Sequence, residues 1–331
     1  MRAVLCKTPT GIDDLVVDRI DPPSLGKGEV RVAVHAAGVN FPDTLIVENK
    51  YQFKPEPPFS PGGELAGEVI EVSEGVTGVA VGDRVAGMSL WGAFAEEVTL
   101  PAESVILIPD SMDYVSAAGF FLTYGTTYHA LVQRANLQPG ETLLVLGASG
   151  GVGTAAIHLG KILGARVIAA AGSPEKLEVA RAQGADDLVN YREESLKEKV
   201  KALTDDNGAD VIFDPVGGDA FQQSMSAINW KGRLLVVGFA SGDIPKLAMN
   251  RVLLKGCSVS GVFWGEFIKR EPAQSAQNNA VLIKLFEEGK LRPLISDTYP
   301  MEKAAEALHR FAARDIVGKI VLTMGRDRPN S

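Results

Sequence analysis

The segment that most constrains the fold is residues 143–153, which read LLVLGASGGVG. Four consecutive apolar residues are too short a run for a helix and are typical of a strand buried on both faces. The glycines follow at once, and apolar residues then recur at helical spacing from Val152 to Leu163. This order predicts a strand, a tight turn and an amphipathic helix, which is the context that a dinucleotide-binding fingerprint requires.

The glycines depart from the usual fingerprint at one position. Written as G-x-G-x-x-G, the segment reads Ala148-x-Gly150-x-x-Gly153, with alanine in the first place. Glycine permits the tight turn, the close approach to a pyrophosphate and the close packing of helix on strand, and the helix N-terminus attracts phosphate. An ordinary glycine-rich turn is the alternative. The residues predicted to bind the cofactor here are Gly147, Ser149, Gly150, Gly151, Val152 and Gly153.

The composition excludes several classes of function. With 331 residues, 46% of them hydrophobic and 22% charged, the chain can form two globular domains with separate cores. A net charge of −8 argues against a nucleic-acid-binding surface. No apolar run approaches the length of a membrane span and no signal peptide is visible, so we expect no membrane partner and a cytoplasmic location.

The order of predicted elements divides the chain into two domains. Residues 1–122 hold short strands separated by proline turns, which is typical of a β-barrel or sandwich. From residue 123 to 265, strands alternate with helices and form an α/β doubly wound parallel sheet. The apolar run at 319–322 is a single strand that cannot form a sheet alone, so residues 266–331 are predicted to complete the first domain. The predicted strands of the first domain are 30–34, 65–72, 83–88, 94–99 and 105–108, and the six of the second are 143–146, 166–170, 188–190, 211–214, 233–237 and 258–262.

The end of the second strand of the parallel sheet indicates the cofactor. An NAD-dependent enzyme usually has an acidic residue there, which accepts a hydrogen bond from the ribose 2′-hydroxyl. This chain has Gly172 at that position, followed by Ser173 and Lys176, which suit a 2′-phosphate. Two alternatives stay open: Ser173 and Pro174 can be an ordinary helix cap, and Glu175 can serve NAD. We predict NADPH.

A second candidate site follows the strand that contains Val34. Asn40 offers a donor and an acceptor, and Asp43 offers an acceptor, where the strand ends. An Asx turn explains the same two residues. Thr126 opens the first predicted helix after the β domain, where it can be a plain N-cap.

The sequence predicts no metal site. Two cysteines, Cys6 and Cys257, cannot form a four-cysteine zinc lobe. No two histidines or cysteines have the spacing of metal ligands. The residues that could ligate a metal but stand singly are His35, His129, His158, His309 and Glu64.

The chain resembles the zinc-independent, zeta-crystallin-like quinone oxidoreductases of the medium-chain dehydrogenase/reductase superfamily. The resemblance covers nearly the whole length and is carried by residues 38–43, 61–67, 81–85, 92–96, 147–153, 214–218 and 318–322. Zinc-dependent members have Cys where this chain has Asn40 and His where it has Gly63. The resemblance implies a GroES-like β domain completed by the C-terminal tail, a Rossmann domain, NADPH in the cleft, and a homodimer formed through edge strands of the Rossmann sheets.

The resemblance also implies roles for single residues. Similar proteins place Asn40, Asp43 and Tyr51 at the substrate end, and Leu45 stands where some relatives have tyrosine. Lys176 and Tyr191 would contact the 2′-phosphate, while Thr126 and the backbone of residues 238–240 would lie near the nicotinamide. The cofactor residues added in this way are Thr126, Lys176, Tyr191, Gly238, Phe239, Ala240 and Lys319.

The implied activity is NADPH-dependent hydride transfer to a small-molecule quinone or α,β-unsaturated carbonyl. Without a metal, charge that develops on the acceptor oxygen must be met by hydrogen bonds, from Asn40 or Tyr51. Two alternatives are an enoyl- or acryloyl-CoA reductase and a non-catalytic NADPH-binding protein. The sequence leaves the physiological acceptor open.

Overall fold

The computed structural model describes residues 1–325. The described chain forms two compact units, the first made of Met1–Leu122 and the segment from Arg292 onward, the second of Thr123–Leu291. Among these residues, no helix has both the length and the apolar character needed to cross a membrane.

Residues 1–325 contain fifteen strands and eleven α-helices. The strands are β1 (Arg2–Cys6), β2 (Leu15–Arg19), β3 (Glu29–Val39), β4 (Glu64–Val72), β5 (Arg84–Met88), β6 (Glu97–Pro101), β7 (Val105–Leu107), β8 (Thr142–Leu146), β9 (Arg166–Ala171), β10 (Asp187–Asn190), β11 (Ala209–Asp214), β12 (Ile228–Val236), β13 (Ser258–Gly261), β14 (Ile295–Pro300) and β15 (Lys319–Thr323). The α-helices are α1 (Phe41–Val47), α2 (Tyr114–Ala118), α3 (Phe121–Tyr128), α4 (Gly151–Ile162), α5 (Pro174–Ala182), α6 (Leu196–Leu203), α7 (Gly218–Ser226), α8 (Met249–Lys255), α9 (Trp264–Arg270), α10 (Pro272–Glu287) and α11 (Ala304–Ala312). A π-helix, His129–Arg134, continues α3, and short 3₁₀ helices cover Ile12–Asp14, Ala102–Ser104 and Met301–Lys303.

The first unit is organised around β3. Its sheet has the order β14-β15-β3-β4-β5-β7, and β6 also pairs with β3. Val30, Val32 and Val34 point their side chains into the core and are fully buried, as the alternating pattern predicts. This long central strand ends at Val39, so the residues that follow it begin the candidate acceptor site.

The C-terminal segment adds two strands to the same sheet. Strand β15 pairs antiparallel with β3, with Ile320 opposite Val39, and β14 pairs parallel with β15. The chain returns to this unit at Arg292, not at residue 266 as the sequence suggested. The reason is that α9 and α10 pack within the second unit, where Phe267 stacks on His129 and Asn278 accepts a hydrogen bond from Gln133.

The second unit is a doubly wound sheet. Its six strands have the order β10-β9-β8-β11-β12-β13, and every neighbouring pair is parallel. This is the strand order of a Rossmann fold, and the predicted six-stranded parallel sheet is confirmed. Strand β8 lies inside the sheet, and Leu143, Leu144, Val145 and Leu146 are fully buried.

Candidate cofactor and acceptor sites

The glycine turn, residues 147–153, joins β8 to α4. Gly147 has a φ of +59°, and the backbone N–H of Gly150 donates to the Gly147 carbonyl over 3.0 Å. A Cβ on Gly153 would lie 2.3 Å from the Gly147 carbonyl oxygen and 2.8 Å from the Ala148 Cα, so only glycine fits there. The N-terminus of α4 therefore begins at the carboxyl end of β8, which is where a Rossmann fold binds pyrophosphate.

The carboxyl ends of β8, β11 and β12 meet. A Cβ on Gly147 would lie 3.0 Å from Cγ2 of Val216, in the loop after β11. The Ala240 N–H, in the loop after β12, donates to the Pro215 carbonyl over 3.0 Å. Asp214 holds the β11 loop because its Oδ1 accepts from the N–H groups of Val216 and Gly217, over 2.7 and 2.9 Å. The structure thus brings residues 238–240 to the strand ends beside the glycine turn.

Thr126 does not open a helix. Helix α3 starts at Phe121, so Thr126 lies within it and is buried. The next residue, Thr127, donates its hydroxyl to the Val152 carbonyl over 3.3 Å. Thr126 therefore lies one residue from a direct contact with the glycine turn.

Gly172 lies directly after β9, and a larger side chain there would meet the side chains of Tyr191 and Arg192. A Cβ there would lie 3.4 Å from Cε2 of Tyr191 and 3.0 Å from Nε of Arg192. Ser173 caps α5, because its hydroxyl oxygen accepts from the Lys176 N–H over 3.4 Å. The same hydroxyl donates to Glu175 and lowers the pKa of that carboxyl. Ser173 therefore caps the helix, which is the alternative that the sequence left open.

Arg192 is a candidate cofactor residue that sequence reasoning missed. Its side chain is exposed, and its Nε lies 3.0 Å from the position that a Cβ on Gly172 would occupy. The parallel pairing of β10 with β9, in which Asn190 lies opposite Ala171, could have indicated Arg192 as a candidate. Residues just after β10 must therefore lie beside the end of β9. An arginine next to Tyr191 places a cation where Gly172 replaces the acidic residue of NAD enzymes.

A buried polar cluster, consisting of Asn40, Asp43, Glu64 and Lys319, lies at the end of β3. Asn40 follows β3 and precedes α1, Glu64 opens β4, and Lys319 opens β15. The four residues are between 1% and 7% exposed. The Lys319 ammonium donates to Asn40 Oδ1 over 2.6 Å, to Glu64 Oε2 over 3.0 Å and to the Val39 carbonyl over 3.2 Å.

Asn40 has no amide hydrogen left for a substrate. Its Nδ2 donates to the Gly38 carbonyl over 3.1 Å and to Glu64 Oε2 over 3.3 Å. The expected hydrogen bond from Asn40 to an acceptor oxygen is therefore not supported by this geometry. Lys319, which the resemblance grouped with the cofactor residues, belongs to this cluster of the first unit.

The pKa of the Asp43 carboxyl is strongly raised. Its Oδ2 accepts from the Asn40 N–H over 2.8 Å. Burial raises the pKa of the Asp43 carboxyl to about 7, although backbone hydrogen bonds and the Lys319 charge oppose the shift. Asp43 can therefore hold or release a proton near neutral pH.

Tyr51 lies in the loop after α1. It is half-buried, and burial first and Asp43 second raise the pKa of its phenol. Its ring centre lies 5.9 Å from that of Phe53, so the ring also packs against an aromatic neighbour. The hydroxyl remains protonated at neutral pH and can donate a hydrogen bond.

Each residue that could ligate a metal but stands singly in the sequence contacts other side chains. His35 stacks on Tyr114, His129 contacts Gln133, and His309 contacts Asp13. Glu64 belongs to the buried polar cluster. His158 bridges the Tyr124 hydroxyl and Gln183. In the part of the chain that the structure describes, no group of three or more His, Cys, Asp or Glu residues could hold a metal ion.

Comparison with known proteins identifies the family. Residues 26–110 match the alcohol dehydrogenase GroES-like domain, and residues 151–279 match the zinc-binding dehydrogenase family. The quinone oxidoreductase-like protein 2 homolog of Nematostella vectensis is 42% identical over 97% of this chain and 88% of its own length. The chain belongs to the quinone oxidoreductase family of the medium-chain dehydrogenases/reductases.

Solved structures agree with this assignment. Escherichia coli quinone oxidoreductase, complexed with NADPH, is 28% identical with a TM-score of 0.92, covering 98% of this chain and 100% of its own. An NAD-dependent alcohol dehydrogenase is 31% identical with a TM-score of 0.90 and the same coverage. A 2-haloacrylate reductase is 29% identical with a TM-score of 0.87, again over 98% and 100% of the two chains. The fold is thus shared by proteins that differ in cofactor and substrate.

Proposed function

We propose that this protein is a zinc-independent oxidoreductase that transfers hydride from NADPH to a quinone or an α,β-unsaturated carbonyl. The observation that carries the cofactor choice is Gly172, which replaces an acidic side chain at the end of β9. Tyr191 and Arg192 lie against it, so a ribose 2′-phosphate would meet a cation and a hydroxyl rather than a carboxylate. The similarity to a quinone oxidoreductase complexed with NADPH supports the same choice.

The residues of the second unit fit NADPH in three places. The glycine turn would hold the pyrophosphate, and Lys176, Tyr191 and Arg192 would hold the 2′-phosphate. Thr126 and the backbone of residues 238–240 would orient the nicotinamide. When bound, NADPH supplies the hydride, and the protein's contribution is to bind and orient it.

In the first unit, we assign the hydrogen bond to the acceptor oxygen to Tyr51. Its phenol is a donor at neutral pH, whereas both amide hydrogens of Asn40 are engaged. Asp43, whose pKa burial raises to about 7, can return a proton to Tyr51 after the phenol has protonated the reduced acceptor. Zinc independence is supported by the side chains present, because Asn40 and Glu64 already direct oxygen atoms at the Lys319 ammonium.

The role of Tyr51 is tested with Tyr51→Phe. Removing one such donor should lower kcat/KM for the acceptor by about 10²–10³-fold, with NADPH affinity and Tm near wild type. Tyr114→Phe, which removes a hydroxyl from a ring stacked on His35, is the matched control and should be fully active. If Tyr51→Phe keeps full turnover, or loses activity only in step with stability, the assignment is wrong.

The activity itself is tested by following NADPH oxidation with a panel of acceptors. The panel contains an ortho-quinone, a para-quinone, a 2-alkenal and acryloyl-CoA, each assayed with NADPH and with NADH. We expect turnover with a quinone or the alkenal, a preference for NADPH, and no loss after exhaustive chelation. Tight NADPH binding without turnover of any acceptor would favour a non-catalytic NADPH-binding protein, and stoichiometric zinc in protein purified without added metal would contradict zinc independence.

An enoyl- or acryloyl-CoA reductase is the second candidate. The similarity to a 2-haloacrylate reductase favours it, because a haloacrylate has the same conjugated C=C–C=O group. Turnover of acryloyl-CoA with a kcat/KM well above that of the alkenal would establish this alternative.

We also propose that the protein is a homodimer in the cytoplasm. Strand β13 is the outer strand of the parallel sheet, and helix α8 packs on the neighbouring β12. Met249, Leu253 and Leu254 of α8, and Trp230, which lies against Gly256, are 63–78% exposed. An open strand edge beside exposed apolar side chains suits pairing with a second copy. Light scattering should give twice the chain mass, and Leu253→Glu with Leu254→Glu should give a monomer.

A further inference from the structure

The ion pair between Lys319 and Glu64 is almost completely buried. Their side chains are 4% and 1% exposed, and Lys319 Nζ lies 3.0 Å from Glu64 Oε2. A buried ion pair is weak evidence for stability, because desolvation of both charges offsets their attraction. This pair joins the first residues of β4 and β15 beside the candidate acceptor site. A role other than stabilising the fold is therefore to be sought for it.

The pair fixes the Asn40 amide in one orientation. The Lys319 ammonium can only donate, so it requires the Asn40 oxygen on its side, and the amide hydrogens then face Gly38 and Glu64. Because the Asn40 backbone N–H donates to Asp43, the same residue connects the pair to the carboxyl group. The other Glu64 oxygen, Oε1, accepts from the Leu122 N–H over 3.0 Å, which fixes the carboxylate as well.

We propose that the Lys319–Glu64 pair is a positioning element of the acceptor site, in which the ammonium orients Asn40 and each of the two opposite charges offsets the effect of the other on Asp43. Neither residue touches the acceptor. The inference rests on the proposed function for its link to catalysis, but the control of Asp43 can be measured without any turnover.

The groups that face Asp43 come from a few elements. Lys319 lowers the pKa of Asp43, whereas Glu64 raises it. Tyr51 approaches from the loop after α1, and the N–H groups of Asn40 and Gly62 donate to the carboxyl. Helix α11 also packs on α1, and its buried residues are the apolar Ala304, Ala307 and Leu308. The charges that act on Asp43 are therefore mainly those of the ion pair.

The test uses Glu64→Gln and the double variant Glu64→Gln/Lys319→Met. Lys319→Met alone is unsuitable, since it would leave a buried carboxylate without its partner and destabilise the protein. In Glu64→Gln, the ammonium acts on Asp43 alone, so the pKa of Asp43 should fall by about one unit. In the double variant both charges are gone, and this pKa should return toward the wild-type value. Glu306→Gln, which breaks the exposed pair with Lys303, is the matched control and should change nothing.

Two measurements report the shift. The first is the free energy of unfolding of each variant as a function of pH, which stops changing once Asp43 has ionised. The second is the pH dependence of kcat/KM for the acceptor, read at its midpoint. In the double variant, kcat/KM should also fall at least about tenfold, because Asn40, whose backbone N–H holds the Asp43 carboxyl, is no longer oriented, while the Kd for NADPH stays within about twofold.

An unchanged or raised stability midpoint in Glu64→Gln would overturn the inference, as would a double variant with wild-type kcat/KM. If no acceptor is turned over but the stability midpoints move as stated, control of Asp43 stands and the proposed function fails. If the enzyme is active but the midpoints do not move, the proposed function stands and the inference fails.

Discussion

The glycine turn and the buried polar cluster are made from different parts of the chain. The turn consists of consecutive residues, and its chemistry comes from backbone N–H groups and a helix terminus. The cluster consists of side chains from Asn40, Glu64 and Lys319, which meet only because β15 is added beside β3. The turn is thus sensitive to an added Cβ where its backbone is closely packed, as at Gly153, whereas the cluster is sensitive to any change in charge.

The largest expected effect is on the cluster. Lys319→Met should destabilise the protein by about 3–5 kcal/mol, because it leaves the Glu64 carboxylate buried without its partner. Lys303→Met, which breaks an exposed pair with Glu306, should change stability by no more than about 1 kcal/mol. Urea unfolding of the two variants measures the difference. Equal losses would mean that burial of the pair is not what matters.

The second effect distinguishes two glycines of the turn. Gly153→Ala should destabilise by about 1–3 kcal/mol and abolish tight NADPH binding, because the new Cβ would meet the Gly147 carbonyl at 2.3 Å. At Gly150, the same contact would be an ordinary 3.5 Å, so Gly150→Ala should keep its stability. Thermal unfolding and NADPH titration of both variants decide the point. A stable Gly153→Ala variant with normal NADPH affinity would show that the close packing is not required.

The turn is made of consecutive residues and the cluster of distant ones, and this difference determines how much of each could be predicted from the sequence. The turn was predicted because its strand, glycines and helix are adjacent in sequence. Asn40 and Asp43 were identified by residue type, but their partners Glu64 and Lys319 come from distant strands, and only tertiary pairing brings them together. Helix α8 was missed because none of its residues is buried, so it has no apolar periodicity to detect.

Residues 266–291 show that domain membership also depends on contacts between distant parts of the chain. The sequence assigned them to the first domain, but a helical segment does not indicate by itself which sheet it packs against. The contacts that hold α9 and α10 in the second unit involve His129 and Gln133, more than one hundred residues earlier in the chain. Such long-range pairings leave no local signal.

The third prediction concerns the 2′-phosphate. Lys176→Ala and Arg192→Ala should each raise the Kd for NADPH, each losing a charge-assisted contact of about 1.5–3 kcal/mol, while leaving the Kd for NADH nearly unchanged. Arg181→Ala, at an exposed position of α5 in an ion pair with Glu178, is the control. Fluorescence titration with both cofactors measures the change. Equal wild-type affinity for NADPH and NADH would contradict the cofactor assignment.

The smallest effect is the pH dependence that Asp43 gives to stability. The pKa of Asp43 is about 7 in the folded chain, against an ordinary 3.8. Between these values the folded state binds a proton that the unfolded state has lost, so stability falls as pH rises toward 7 and is level above it. From pH 6 to 7 the change should be about 1 kcal/mol or less. Asp43→Asn should remove this part of the slope, and an identical slope in variant and wild type would contradict the assignment.

Direct hydride transfer from NADPH to the acceptor is tested by an isotope-transfer measurement. The protein is incubated with a 2-alkenal and with NADPH that carries deuterium in place of both hydrogens at C4 of the nicotinamide, and the product is analysed by mass spectrometry and NMR. We expect a saturated aldehyde with one deuterium on the β-carbon, formed by the wild type and at a much lower rate by Tyr51→Phe. Product without deuterium at that carbon would contradict direct hydride transfer from NADPH to the acceptor.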